Sequence, residues 1–178
     1  MNTLGSTILF ICITILFSCC NQSSSQLTQQ IKQLQKTTIY LPTNTEIIPK
    51  SCKDTIVHDS TKYKIVTYID LDCEICWTEL ILWQEYWENN QFSNADFLCY
   101  VSAHSYNSIS QKMEFRQSTT FPLFFDTDKQ FLRNNPLLIN KQFHTLLLDQ
   151  NNNVILVGNP SMKKKIDKLY HKLLFKEI

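Results

Sequence analysis

Short apolar runs alternate with amphipathic segments through the second two-thirds of the chain. Runs rich in β-branched and aromatic residues, over 64–69, 97–101 and 121–125, are typical of buried strands. Between them, apolar positions three, four or seven residues apart predict helices over 76–88 and 106–117. The order strand, helix, strand, helix, strand predicts a mostly parallel sheet with helices packed on its faces.

The C-terminal part follows a different pattern. A short helix is predicted over 126–133, followed by strands over 143–148 and 154–157. Only five polar residues join these two strands, which indicates an antiparallel hairpin. The chain then ends in an amphipathic helix that runs to about Phe175, with Ser161 as its expected N-cap.

The N-terminal segment has a composition of its own, because residues 1–31 contain no Lys, Arg, Asp, Glu or His. The nearly continuous apolar run 4–17 is shorter than the roughly 20 residues that span a bilayer, and it matches the roughly 7–15 residues of a signal-peptide core. A cleaved export signal is therefore favoured over a permanent apolar anchor.

The end of that segment, Leu16-Phe17-Ser18-Cys19, resembles the lipobox of bacterial lipoproteins. The resemblance implies a lipid on Cys19, a signal peptide over 1–19 and attachment to a membrane on its periplasmic or outer side. The Ser- and Gln-rich stretch that follows predicts a flexible tether over 20–37, which leaves 38–178 as the folded domain. An uncleaved anchor and a simple secreted protein stay open as alternatives.

Charge and cysteine content narrow the choice of function. The formal net charge is +1, and no basic patch interleaved with aromatics precedes the last helix, so a nucleic-acid partner is not expected. Seven cysteines in an exported chain make disulfide chemistry plausible, since disulfides persist outside the cytosol.

Cys73 and Cys76 form a CxxC at the junction between a predicted strand and a predicted helix. The first turn of a helix favours a thiolate at the first cysteine, and the second cysteine lies close enough to resolve a mixed disulfide. Cys73 is therefore the expected nucleophile and Cys76 the resolving thiol, with no cofactor and no metal. The neighbouring carboxylates of Asp72 and Glu74 are expected to raise the pKa of Cys73 and to give a reducing poise.

Other roles for these cysteines stay open. The pair could be a static disulfide, or it could form half of a zinc site completed from Cys52, Cys99, His104 and His144. Cys99 lies within an apolar strand, and packing is its expected role. Three tryptophans at helical spacing are expected in the core rather than on a docking face: Trp77, Trp83 and Trp87.

Three segments carry a resemblance to a known family: KIVTYIDLDCEICW, FPLFFDTDKQF and FHTLLLDQNNNVILVGNP. Together they make residues 38–175 similar to the TlpA/ResA-type thioredoxin-like lipoproteins of Bacteroidetes. The resemblance implies an α/β, thioredoxin-like fold, with a central mixed sheet flanked by helices and an inserted strand-containing segment at 121–125. Active members carry a cis-proline where this chain has Phe143, so Phe143 and His144 are the substrate-groove candidates.

The sequence thus predicts a membrane-tethered thiol-disulfide oxidoreductase of the cell envelope, more reducing than oxidising. Its expected partners are thiols or disulfides of exported proteins and a membrane dithiol donor. The alternative is a non-catalytic thioredoxin-like lipoprotein that binds a partner protein or, through a histidine such as His144, copper. A peroxiredoxin-like peroxidase is less favoured, because its nucleophile normally has no cysteine three residues further on.

Overall fold

Six strands form one mixed sheet in the computed structural model, which describes residues 25–48, 61–90, 92–107, 109 and 119–175. The sheet order is β1-β4-β3-β2-β5-β6. The strands are β1 (Glu46–Ile48), β2 (Tyr63–Asp70), β3 (Ala95–Ser102), β4 (Leu123–Phe125), β5 (Thr145–Asp149) and β6 (Val154–Val157).

The strand directions agree with the sequence pattern. β3 runs parallel to both β2 and β4, as the apolar runs predicted. β5 pairs antiparallel with β2 and with β6, so the predicted hairpin is confirmed. β1 pairs antiparallel with β4 at the edge of the sheet. The central mixed sheet of the expected fold class is therefore present, and the apolar segment near 121–125 contributes a strand to it.

Helices cover both faces of the sheet. They are α1 over residues 25–34, α2 (Glu74–Asn90), α3 (Gln130–Asn134) and α4 (Lys164–Leu174), with 3-10 turns at Pro136–Leu138 and Lys141–Phe143. Of the helix predicted over 106–117, only residues 106, 107 and 109 are described, and they are helical. The rest of that prediction lies outside the described residues.

The predicted N-cap of the last helix was wrong. The N-cap of α4 is Lys163, an extended residue that makes no side-chain cap. Ser161 instead donates its hydroxyl to Asn159 Oδ1 at 2.7 Å, and its backbone N–H bonds to the same oxygen at 2.9 Å. The hydroxyl is therefore used within the turn before the helix.

The predicted tether over 20–37 needs correction for its second half. Residues 25–34 are helical, Leu34 is buried, and Leu27 and Ile31 pack against the same core. These three residues are four and three positions apart, so they share one face of a helix and bury it against the domain. The lipidation candidate Cys19 and the apolar run 4–17 lie outside the described residues. Among the helices that are described, none has the length and apolar character to cross a membrane.

Two apolar cores lie on opposite faces of the sheet. Trp77 and Trp83 of α2 are buried in one of them and Trp87 packs against it, so the expected core role of the tryptophans is confirmed. Cys99 is fully buried in the same core, as its position within an apolar strand predicted.

Asp149, at the end of β5 in the β5–β6 hairpin, should make the stability of the protein sensitive to acid. Slight burial acts to raise the pKa of Asp149. Hydrogen bonds from Asn153 and Asn151 and the charge of Lys64 outweigh it, so the pKa is lowered. A lowered folded-state pKa contributes stability above the unfolded value of about 3.9, and that contribution is lost as pH falls through the folded pKa. We expect the free energy of unfolding to fall below about pH 4, and to fall less in Asp149→Asn. Urea unfolding at pH 3 and pH 6 measures the difference, and an equal acid response in both proteins would contradict the prediction.

Candidate active site

The CxxC lies at the edge of the sheet where β2 and β3 end. These two strands are parallel, so their carboxyl ends meet at one edge. Since β5 is antiparallel to β2, the segment that enters β5 reaches the same edge, and the backbone N–H of Tyr68 bonds to His144 O at 3.0 Å. The topology therefore places the 3-10 turn Lys141–Phe143 at the same edge of the sheet as the loop that carries the cysteines.

A network of local bonds fixes the approach to the cysteines. The N–H of buried Leu71 donates to Ser102 O at 2.8 Å, which joins the end of β2 to the end of β3. The carbonyl of Leu71 accepts the indole N–H of Trp77 at 3.0 Å. The carboxylate of Asp72 accepts the backbone N–H of His104 at 2.9 Å. The loop before α2 is thus held by the end of β3, by the residue that follows it closely, and by the helix itself.

Cys73 directly precedes α2. Its own N–H donates to Asp70 O at 3.3 Å, and its carbonyl accepts the N–H of Cys76 at 3.0 Å. Cys73 is exposed whereas Cys76 is buried, and both are free thiols. One sulfur is therefore accessible to a partner from solvent and the other lies behind it, as the sequence spacing predicted.

The expected effect of the two carboxylates on Cys73 was wrong. Hydrogen bonds to its sulfur from the thiol and the backbone N–H of Cys76 lower the pKa of Cys73, and the backbone N–H of Ile75 and the charge of Lys141 add to the effect. The thiol of Cys76 contributes most, and the free N–H groups at the start of the helix add to the effect because they stabilise an anion placed there. The carboxylate of Asp72 is engaged with a backbone N–H instead. This environment therefore favours the thiolate form of Cys73.

Cys76 has a different environment. Burial raises the pKa of its thiol, and the ammonium of Lys141 acts against that rise by donating a hydrogen bond to Cys76 Sγ at 3.0 Å. The same hydrogen bond raises the pKa of Lys141, so the lysine is held in its charged form. Sequence reasoning missed Lys141, because nothing in the local pattern near residue 141 points to a sulfur 65 positions earlier.

A half-buried carboxyl group lies one helical turn beyond Cys76. Burial raises the pKa of Glu79, while a 3.0 Å hydrogen bond from Asn159 Nδ2 and the charge of Lys141 lower it in part. Burial, followed by the charge of Glu79, raises the pKa of Cys99 well above its ordinary value. Cys99 is thus an inert thiol in the core. The pKa of Lys141, by contrast, is raised by both Cys76 and Glu79.

The two groove candidates flank the start of β5. The side chain of Phe143 is buried in the core opposite α2, so only its backbone is left to line a groove. The ring of His144 packs edge-on against Tyr68 with 5.3 Å between centroids, and burial lowers its pKa. A role in the substrate groove stays a prediction for both residues.

Zinc binding was an alternative role for the two cysteines. No group of three or more His, Cys, Asp or Glu side chains within the described ranges is arranged to hold an ion. Cys52, one of the possible zinc ligands, lies outside those ranges. His104 is exposed, and the half-buried His144 is packed against an aromatic ring.

Comparison with solved structures identifies the fold. A putative thiol-disulfide oxidoreductase from Bacteroides vulgatus superposes with a TM-score of 0.53 at 12% identity, covering 65% of this chain and 81% of that one. The exposed lipoprotein thioredoxin Etrx1 from Streptococcus pneumoniae gives a TM-score of 0.50 at 14% identity, covering 64% of this chain and 85% of that one. No protein-family model matches the chain, and no curated protein matches it.

These similarities, together with the six-stranded mixed sheet and its flanking helices, define a thioredoxin-like fold. The fold class expected from the sequence is confirmed.

Proposed function

We propose that this protein is a membrane-tethered thiol-disulfide oxidoreductase of the cell envelope that works through Cys73 and Cys76. The observation that carries the proposal is the asymmetry of the two thiols. Cys73 is exposed with a lowered pKa, and Cys76 is buried directly behind it with a raised pKa. A reactive outer thiol backed by a protected inner thiol is the arrangement that two-step disulfide exchange requires.

The proposed reaction begins at Cys73. Its thiolate attacks one sulfur of a client disulfide, forming a mixed disulfide and releasing the other client sulfur as a thiolate, which takes up a proton. Cys76 then loses its proton and attacks Cys73 Sγ. The Cys73–Cys76 bond forms, the mixed disulfide breaks, and the second client sulfur leaves and is protonated. Two electrons pass to the client, and a dithiol donor at the membrane restores the two thiols.

The location proposed for this chemistry comes from the N-terminal segment. Lipid attachment at Cys19 would place the domain on the outer face of a membrane, where clients with disulfides occur. One structure with the same fold is described as an exposed lipoprotein thioredoxin, and another as a putative thiol-disulfide oxidoreductase. Both descriptions support the proposal through the fold alone.

The stability of the Cys73 thiolate affects the reduction potential of the pair. A lowered pKa at Cys73 stabilises the reduced form and therefore raises the reduction potential. We propose reduction of clients as the direction, with a potential well below the roughly −120 mV of strong oxidants. The lowered pKa of Cys73 acts against the more reducing poise that the neighbouring carboxylates suggested.

A redox titration of the full-length chain tests the proposal. The protein is equilibrated in graded dithiol buffers and alkylated, and the peptide that contains Cys73 and Cys76 is measured by mass spectrometry. We expect one reversible two-electron transition, well below the roughly −120 mV of strong oxidants. A pair that stays oxidised at every potential, or never forms a disulfide, would end the oxidoreductase proposal and leave a binding protein on this fold.

A further inference from the structure

The loop that enters β5 places a positive charge on the buried sulfur of the CxxC. Lys141 Nζ lies 3.0 Å from Cys76 Sγ, which is hydrogen-bond distance. The backbone of the lysine is fixed by its 3-10 turn, because Asn140 Oδ1 accepts the N–H of Gln142 and the N–H of His144 donates to Lys141 O. The exposed side chain of Lys141 therefore extends from a structured turn, and its ammonium contacts the inner thiol.

The contact is specific to one of the two sulfurs. Lys141 donates a hydrogen bond to Cys76, whereas its effect on Cys73 is only the long-range effect of its charge, which follows four other causes in size. Cys76 needs this help more, because its thiol is buried and burial disfavours a thiolate. In a mixed disulfide Cys73 no longer carries a thiolate to accept the hydrogen bond from Cys76, so the bond that disfavours the Cys76 thiolate is weakened and the Lys141 bond remains.

Building on the proposed oxidoreductase function, we propose that Lys141 is a catalytic residue for the resolving step, in which it stabilises the thiolate of Cys76. In this step the proton of Cys76 passes to solvent, and Cys76 Sγ attacks Cys73 Sγ. The Cys73–Cys76 bond forms as the bond to the client sulfur breaks, and the client thiolate takes up a proton. Lys141 stays protonated throughout, and its charge lowers the free energy of the attacking thiolate.

The test separates the two steps of exchange in the full-length chain. The reduced protein is mixed with oxidised glutathione as the disulfide probe and quenched with acid at successive times. Mass spectrometry of the CxxC peptide then gives the fractions with free thiols, with glutathione on Cys73, and with the Cys73–Cys76 disulfide. The variants are Lys141→Met, which removes the charge and keeps the chain length, and Lys141→Arg, which keeps the charge.

We expect Lys141→Met to slow resolution about tenfold at neutral pH, the size of effect that a hydrogen bond to a charged group supports. Glutathionylated Cys73 then accumulates, while the rate of its formation changes by less than about threefold, because the charge alone acts on Cys73. Raising the pH should restore resolution, since more Cys76 ionises without the lysine. Lys141→Arg should resolve nearly as fast as the unaltered protein.

The matched control is Lys172→Met, which removes the same charge from an exposed site near the end of α4. The adjacent His171 contacts Phe92, just beyond the end of α2 that lies away from the CxxC, and we expect normal resolution. Equal resolution rates in Lys141→Met and the unaltered protein would overturn the role of Lys141 and leave the oxidoreductase proposal intact. An uncorrected defect at high pH would also overturn it, since it would indicate a structural cause. If the unaltered protein forms neither product, both proposals fail.

Discussion

Replacing Cys73 with serine is expected to abolish thiol-disulfide exchange, with a loss of at least about 100-fold in the rate of reduction of a disulfide-bonded substrate such as insulin. Cys73 is the exposed member of the pair and the one whose pKa is lowered, so it is the thiol that we expect to reach a client disulfide. A serine hydroxyl in the same place is not ionised near neutral pH and cannot form the mixed disulfide. Turbidity of reduced insulin, followed with a dithiol as electron source, measures the rate.

Two further variants give this experiment its controls. Cys76→Ser keeps the nucleophile and removes the resolving thiol, so it should accumulate a mixed disulfide on Cys73 and turn over slowly. Cys99→Ala removes a buried thiol whose pKa is raised well above normal, and it should exchange at the normal rate. If Cys73→Ser retained full activity, the outer cysteine would not be the nucleophile.

The second large effect is expected at the centre of the core. Trp83→Ala should lower the free energy of unfolding by about 3–5 kcal/mol, because it leaves a cavity that the surrounding side chains fill only in part. Trp83 has no exposed surface, and its ring lies 4.7 Å from that of Phe97 and 5.7 Å from that of Tyr86, centroid to centroid. Chemical denaturation of the full-length chain, followed by circular dichroism, measures the change.

Trp83→Phe is the matched control. The indole N–H of Trp83 is buried and has no hydrogen-bond partner among the described residues, so phenylalanine gives up volume and no hydrogen bond. We expect a cost of less than about 2 kcal/mol, well below that of alanine. Similar losses for the two variants would mean that the site tolerates no change of shape, and the cavity explanation would be wrong.

The central strands and the hairpin could be predicted from the sequence because their signals are local. The strand at 64–69 is an apolar, β-branched run, and the hairpin is two such runs separated by five polar residues. The helix over 25–34 was missed although its apolar residues are spaced for one face. Its Ser- and Gln-rich composition suggested a tether. Leu34 is a core residue because the helix packs against an apolar face of the sheet, which the local sequence does not show.

The same distinction applies at the site. Cys73 and Cys76 could be assigned from the sequence, since the strand before them and the helix after them define which sulfur is outermost. Their ionisation could not be assigned. Asp72 and Glu74 are neighbours in the chain, yet Asp72 accepts a backbone N–H from His104, and hydrogen bonds from the thiol and the backbone N–H of Cys76 lower the pKa of Cys73.

The amino-acid sequence by itself determined the alternation of strands and helices and which CxxC thiol is exposed and which is buried, because both follow from residues within a few positions of one another. Only the tertiary structure decided which charge acts on those thiols. Lys141 reaches Cys76 because β5 pairs antiparallel with β2. This pairing places the turn before β5 at the edge of the sheet where the CxxC lies. A contact between residues 65 positions apart depends on the pairing of strands, and no local pattern encodes it.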